Sequence, residues 1–126
     1  MKKIYIICPV TIASKSDRTE LEAYVAFKED DGYDVYYPAR DTDQEASAFD
    51  ICLQNGAAIQ EADEIHVFYN SKSKGTHFDL GVAFAFDILS LQKKVFKKVQ
   101  AKLTDDGNGH EFVNLMYKWE ELRGGA

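Results

Sequence analysis

Basic charge is in short supply: 15 Lys and Arg stand against 21 Asp and Glu in 126 residues, a formal net charge of −6. A field of that sign repels phosphate backbones and anionic membrane surfaces, so no nucleic-acid partner and no membrane partner is expected, although local dipoles could still hold a small anion. Cysteine is equally scarce. Cys8 and Cys52 lie far apart and match neither a zinc pair nor a Cys-x-x-Cys redox motif, which points to buried thiols in a reducing compartment and to no metal and no other cofactor. Two prolines and eight glycines are too few for collagen-like, low-complexity or disordered chains. No stretch approaches the roughly 20 apolar residues of a membrane span. Met1-Lys2-Lys3 followed by Ile4 to Cys8 resembles the opening of a signal peptide, but the apolar run ends after five residues at Pro9. It reads as a buried strand, and the expected location is cytoplasmic.

What is present is a core's worth of apolar mass, with 45% hydrophobic and 13% aromatic residues, in a length that fits one domain spanning residues 1–126. Short apolar runs alternate with longer amphipathic stretches, the pattern of a parallel sheet covered on both faces. Strands are predicted at Ile4 to Ile7, Val35 to Tyr37, Ile65 to Tyr69 and Val95 to Val99. The first helix is predicted from about Ser16 to Asp31, with Asp17 and Glu20 as a capping box and Gly32 as its stop. A second, from about Ala46 to Glu61, puts Phe49, Cys52, Leu53, Ala57 and Ile59 or Gln60 on one stripe. A third starts near Thr76 or His77 and buries Phe78, Val82, Ala83, Phe86 and Leu89. A last helix, about Gly109 to Leu122, carries Phe112, Leu115, Met116, Trp119 and Leu122. The order βαβαβαβα predicts an α/β fold: a single-domain, doubly wound parallel sheet of four to five strands in a Rossmann-like or flavodoxin-like three-layer sandwich. In such sheets ligands sit beyond the carboxyl ends of the strands, where the winding reverses. Residues 8–15, 38–45 and 70–78 are therefore the loops to search.

The third of these is the most informative. Asn70 to Gly81 runs from a strand into a helix, and Gly75 lets a ligand come close to the backbone. The hydroxyls of Ser71, Ser73 and Thr76, with the free N–H groups of the helix start, suit a phosphate or carboxylate. Neither the Walker spacing nor Gly-x-Gly-x-x-Gly is present. Asp79 falls in the first helical turn, where a carboxylate either faces the pocket or only complements the helix dipole, a contribution of about 0.3–1 kcal/mol. His77 is the histidine nearest the loop, as a ligand contact or as an exposed first-turn residue. The second loop offers Arg40, Asp41 and Asp43, which either fork onto an anion and a base or form a solvated turn with a surface ion pair. Pro9 and its neighbours have little charge, and a base or sugar could lie against them.

These segments resemble the nucleoside 2-deoxyribosyltransferase family, which includes the 2′-deoxynucleoside 5′-monophosphate N-glycosidases. The resemblance spans roughly residues 2–96. Ile4-Tyr5-Ile6-Ile7-Cys8-Pro9 stands in place of the family's first strand and its Gly-Pro turn, and Ala58 to Ile65 matches the approach to the third strand. Most specific is Ser73-x-Gly75-x-x-Phe78-Asp79-Leu80-Gly81, against the family's Ser-x-Gly-x-x-Tyr/Phe-Glu-Leu-Gly. The resemblance implies that Asp79 is the carboxylate nucleophile attacking the sugar and that Ser73 contacts a 5′-phosphate. It further implies that Asp41 and Asp43 bind or protonate the leaving base while Arg40 orients it. A small-molecule nucleoside or nucleotide is the implied partner, and a homodimer or higher homo-oligomer the implied assembly. Two positions depart from the family: Asp79 is one methylene shorter than the usual Glu, and Asn55 stands where many members have an Asp near the nucleophile or sugar. The function expected is an N-glycosidase or nucleoside deoxyribosyltransferase. A non-catalytic nucleotide-binding or sensing module on the same fold is the alternative that the two departures suggest.

Overall fold

The computed structural model describes residues 1–89 and 95–98. Among them the elements run β1 (Lys3–Ile7), α1 (Lys15–Asp30), β2 (Asp34–Tyr36), α2 (Pro38–Asp41), α3 (Ala48–Glu61), β3 (Glu64–Val67), α4 (Lys74–Leu89) and β4 (Val95–Lys98). The strands form one sheet in the order β2-β1-β3-β4, and every pairing is parallel. The result is an α/β architecture, a parallel sheet flanked by helices and consistent with a Rossmann-like fold. The expected helix at 109–122 lies outside the described residues. No helix among the described residues is long and apolar enough to cross a membrane.

Strand alternation divides the core. Tyr5 and Ile7 of β1, with Ile65, Val67 and Tyr69, pack under Ile59 of α3 and Leu80 and Ala83 of α4. Ile4, Ile6 and Cys8 point the other way, with Leu21 and Val25 of α1, Val35 and Phe68. The β1–α1–β2 unit moves one way along the sheet and the following crossover passes back over β1 to β3. The winding therefore reverses between β1 and β3, and right-handed connections place α1 on one face and α3 with α4 on the other.

Local sequence rules explain most boundaries and several corrections. α1 starts one residue earlier than predicted, and its capping box is not Asp17 with Glu20. Ser14 accepts from the Asp17 N–H (3.0 Å), while Asp17 Oδ2 accepts from the Ser14 N–H (3.2 Å). Ser14→Ala is expected to lower stability by about 1 kcal/mol, read as a reduced urea midpoint with an unchanged slope; an unchanged midpoint would refute the cap's contribution. Part of the predicted second loop is helical, because Pro38 occupies the first helical position, where its missing N–H does no harm. In α4 the buried residues are Thr76, Asp79, Leu80, Ala83 and Asp87, one position round from the predicted stripe. Three polar residues lie on the sheet-facing side, so a stripe chosen for hydrophobicity selects the neighbouring face. Val82 and Phe86 pack at its flank, whereas Phe78 and Leu89 are exposed. In α3 only Ile59 is buried; Phe49 is 71% and Leu53 55% exposed, while Ile51, Cys52 and Asn55 of the same helix border a cavity rather than the core. Cys52 is exposed too, against the expectation of two buried thiols.

His66 is completely buried on the α1 side of β3. Its Nδ1 is 2.5 Å from the Tyr24 hydroxyl and its Nε2 2.8 Å from Glu64 Oε1. Glu64 reaches Lys2 at the surface, 3.9 Å away.

Candidate active site

At the carboxyl edge of the sheet, where the winding reverses, lies a cavity of about 540 Å³. The ends of β1 and β3 and the first turns of α4 frame one side of it, and α3 frames the other. Its wall contains Cys8, Asn55, Ser73, Gly75 and Asp79, with Lys72 and Lys74 at the α4 start.

Asp79 is the most perturbed charge there. It is only 7% exposed, and burial raises its pKa from 3.8 to about 6, against the lowering effect of a hydrogen bond from Tyr5. The Tyr5 hydroxyl donates to Asp79 Oδ2 at 2.8 Å. The phenol is itself held well above its ordinary pKa, first by burial and then by the charge of Asp79, so it stays a donor. Among the described residues no hydrogen bond engages Oδ1. One oxygen of the carboxylate is therefore anchored and the other is without a hydrogen bond among the described residues, on a residue that lines the cavity. Cys8 sits beside this pair, its thiol pushed up to about 12 by burial and by Asp79. Iodoacetamide at pH 8 is expected to label the exposed Cys52 at least about tenfold faster than Cys8, measured by peptide mass spectrometry. Equal rates would contradict the burial of Cys8.

The α4 start is organised by Ser73. Its Oγ accepts from the Thr76 N–H (3.1 Å) and from the Thr76 hydroxyl (2.8 Å), which leaves its own proton for a ligand. His77 is not among the lining residues. Its Nδ1 faces the Ser73 carbonyl at 2.8 Å and its Nε2 the Tyr69 hydroxyl at 2.9 Å. A carbonyl only accepts, so Nδ1 carries a proton, and in the neutral ring Nε2 accepts from Tyr69. His77 thus fastens the Ser73 turn from outside the cavity.

The second loop does not deliver its charges to the cavity. Arg40 donates to both oxygens of Asp41 (2.8 and 2.9 Å), to Glu29 (3.2 Å) and to the Val35 carbonyl (2.9 Å). Burial acts to raise the Asp41 pKa, but bonds from Arg40 and from the Tyr37 N–H outweigh it and hold the carboxyl below its ordinary range. Asp43 donates its N–H to Gln54 and accepts from the Glu45 N–H. None of Arg40, Asp41 and Asp43 lines the cavity, and neither does buried Pro9, although Cys8 and Val10 on either side of it do. The expected roles for the loop's charges in binding a base find no support in this geometry, because their partners are one another, Glu29 and the backbone. What the loop contributes instead is Thr42, bonded to Asn55, and Gln44, which lines the wall.

Tyr5 was not among the site residues read from the sequence. The available signal was a phenol inside an otherwise aliphatic strand, since a buried Tyr hydroxyl usually finds a partner. Among the described residues no group of three or more His, Cys, Asp or Glu side chains could hold a metal ion.

The fold and the cavity define a parallel α/β protein with a buried carboxylate at the topological switch point of its sheet. No protein-family model and no curated protein matches the chain in sequence; the similarity to known proteins is carried by structure. A 2-desoxiribosyltransferase from Leishmania mexicana superposes with a TM-score of 0.57 at 26% identity, over 78% of this chain and 63% of that one. The Clostridium botulinum CMP N-glycosidase BcmB superposes with a TM-score of 0.60 at 19% identity, over 93% of this chain and 81% of that one. The chain thus spans somewhat less than two thirds of the Leishmania protein. The resemblance to the nucleoside 2-deoxyribosyltransferase family read from the sequence holds in three dimensions.

Proposed function

We propose that the protein breaks N-glycosidic bonds of a small nucleoside or nucleoside 5′-monophosphate, with Asp79 as the nucleophile. The observation that carries this reading is the buried Asp79 carboxylate on the cavity wall, anchored at Oδ2 by Tyr5 and, among the described residues, unengaged at Oδ1. With a pKa of about 6, the carboxylate is mostly ionised at neutral pH and more basic than an ordinary Asp. Oδ1 attacks the anomeric carbon, the bond from that carbon to the base nitrogen breaks, and the electron pair leaves with the base, which takes up a proton. The glycosyl ester then passes its sugar to water, giving hydrolysis, or to a second base, giving transfer. The Ser73 hydroxyl, Lys72, Lys74 and the first N–H groups of the 16-residue α4 make an anion-binding subsite, which favours a 5′-monophosphate over a nucleoside. Ile12, Phe49, Leu53 and Phe78 leave apolar surface exposed, which is compatible with a homodimer.

The test is to incubate the protein with ribo- and deoxyribonucleosides and their 5′-monophosphates and to quantify free base by chromatography, with Asp79→Ala as control. Base release that disappears in the variant supports the reading. Release that persists in Asp79→Ala removes Asp79 as nucleophile, and tight binding without release from any substrate favours a non-catalytic nucleotide-binding module.

A further inference from the structure

Asn55 borders the cavity with its amide held from behind. Its Oδ1 is 2.6 Å from Thr42 Oγ1, and the same Oγ1 is 2.7 Å from the Tyr36 hydroxyl. The first separation fixes the direction of the chain. N–H···O bonds lie near 2.9 Å and rarely fall below about 2.7 Å, whereas O–H···O bonds extend down to about 2.5 Å. At 2.6 Å the contact is O–H···O, with Thr42 as donor and the Asn55 carbonyl as acceptor. A threonine hydroxyl has a single proton, so Tyr36 must donate to Thr42. Thr42 is buried, and the Tyr36 ring stacks on Tyr5 at 5.5 Å between centroids and 14° between planes. The relay Tyr36→Thr42→Asn55 is therefore built into the core beside the Asp79 anchor.

With Thr42 bonded to its carbonyl, Asn55 has its NH₂ group, two donors, as the part of the amide that no hydrogen bond engages among the described residues. We propose that Asn55 is a specificity-determining residue that reads a hydrogen-bond acceptor of the substrate, an oxygen or a ring nitrogen, and that Thr42 is the positioning residue that fixes its orientation. This rests on the N-glycosidic reading of the same cavity. A carboxylate at this position would keep the bond from Thr42 but present an acceptor, selecting a donor on the ligand instead. The two alternatives are separable because a ligand that leaves the amide unpaired loses the bond and strands a desolvated donor.

Kinetics on the 5′-monophosphate that releases base fastest, with Thr42→Val, Thr42→Ser and Asn55→Asp, test the assignment. Thr42→Val leaves the amide free to turn over, and KM should rise about fivefold with kcat within about twofold of the parent. Thr42→Ser restores the donor and should return both constants to within about twofold. Asn55→Asp should reduce kcat/KM by at least about 30-fold. Calorimetric titration of the same monophosphates into an Asp79→Asn background reads binding without turnover. Weakening by Thr42→Val with recovery in Thr42→Ser supports the proposal even where the parent releases no base, a result that would refute only the catalytic reading. An unchanged KM in Thr42→Val, wild-type behaviour of Asn55→Asp, or no binding of any monophosphate overturns it.

Discussion

Asp79→Asn is expected to lose at least about 1,000-fold in base release, since the substitution removes the nucleophile while preserving its shape. The same variant should be more stable than the parent at pH 8, by about 1–3 kcal/mol. Burial raises the Asp79 pKa from 3.8 to about 6, so the folded state favours the protonated carboxyl. Below pH 4 the group is protonated whether the chain is folded or not, and it takes nothing from stability. Between pH 4 and 6 the unfolded chain ionises more readily, and stability falls; above pH 6 the deficit is constant. An asparagine carries no charge, and its carbonyl can still accept from the Tyr5 hydroxyl at 2.8 Å. The difference in unfolding free energy between the two proteins should therefore be small near pH 4, grow to pH 6 and level off. A constant difference across that range would mean that Asp79 does not titrate there, and a loss of stability at pH 8 would mean that its charge is compensated by partners other than Tyr5. Activity and stability moving in opposite directions distinguishes a buried reactive carboxylate from one that merely caps a helix, where removal would lower stability.

The parts of this arrangement legible in the sequence are those where one residue type has one use. The apolar run Ile4 to Ile7 could only be a buried strand, and the small, hydroxyl-rich segment before Phe78 could only be a strand-to-helix turn; the helix starts at Lys74, earlier than expected, so Asp79 falls in its second turn and not its first. The order of strands and helices then located the cavity before any side chain was considered. What escaped are residues whose partners lie far along the chain. Tyr5 and Asp79 are 74 positions apart, and nothing local to either announces the bond. Arg40 illustrates the opposite error: a guanidinium at the expected ligand edge looks available, but Glu29 and the Val35 carbonyl, brought up by α1 and β2, fix its fork away from the cavity. The stripe on α4 is misplaced because polar residues occupy its sheet-facing side. Thr76, Asp79 and Asp87 face inward, where a reading by hydrophobicity alone places only apolar residues.

Tyr5→Phe should separate the tuning of the nucleophile from its presence. The parent's base-release profile is expected to fall on the acid side with a midpoint near 6, as the Asp79 carboxylate takes up its proton. The Tyr5 hydrogen bond opposes the effect of burial, so its removal moves the Asp79 pKa further up, and the acid limb should shift toward alkaline pH by up to about one unit. Phenylalanine retains the ring and its stacking on Tyr36, so the core should keep its packing while the carboxylate loses its anchor. At pH 8, where both proteins are ionised, the remaining deficit of about tenfold reports misplacement of Oδ1 alone. At pH 6 the deficit should be several times larger, because fewer molecules carry the charged form. Carboxyl ¹³C shifts of Asp79, followed by NMR in both proteins, read the same titration without substrate. A midpoint that stays put in Tyr5→Phe would show that the hydroxyl does not stabilise the anion, and a limb shifted toward acid would show that it favours the protonated form. The expected alkaline shift requires the phenol to be the donor and the carboxylate the acceptor, which is the polarity that a nucleophile at this position needs.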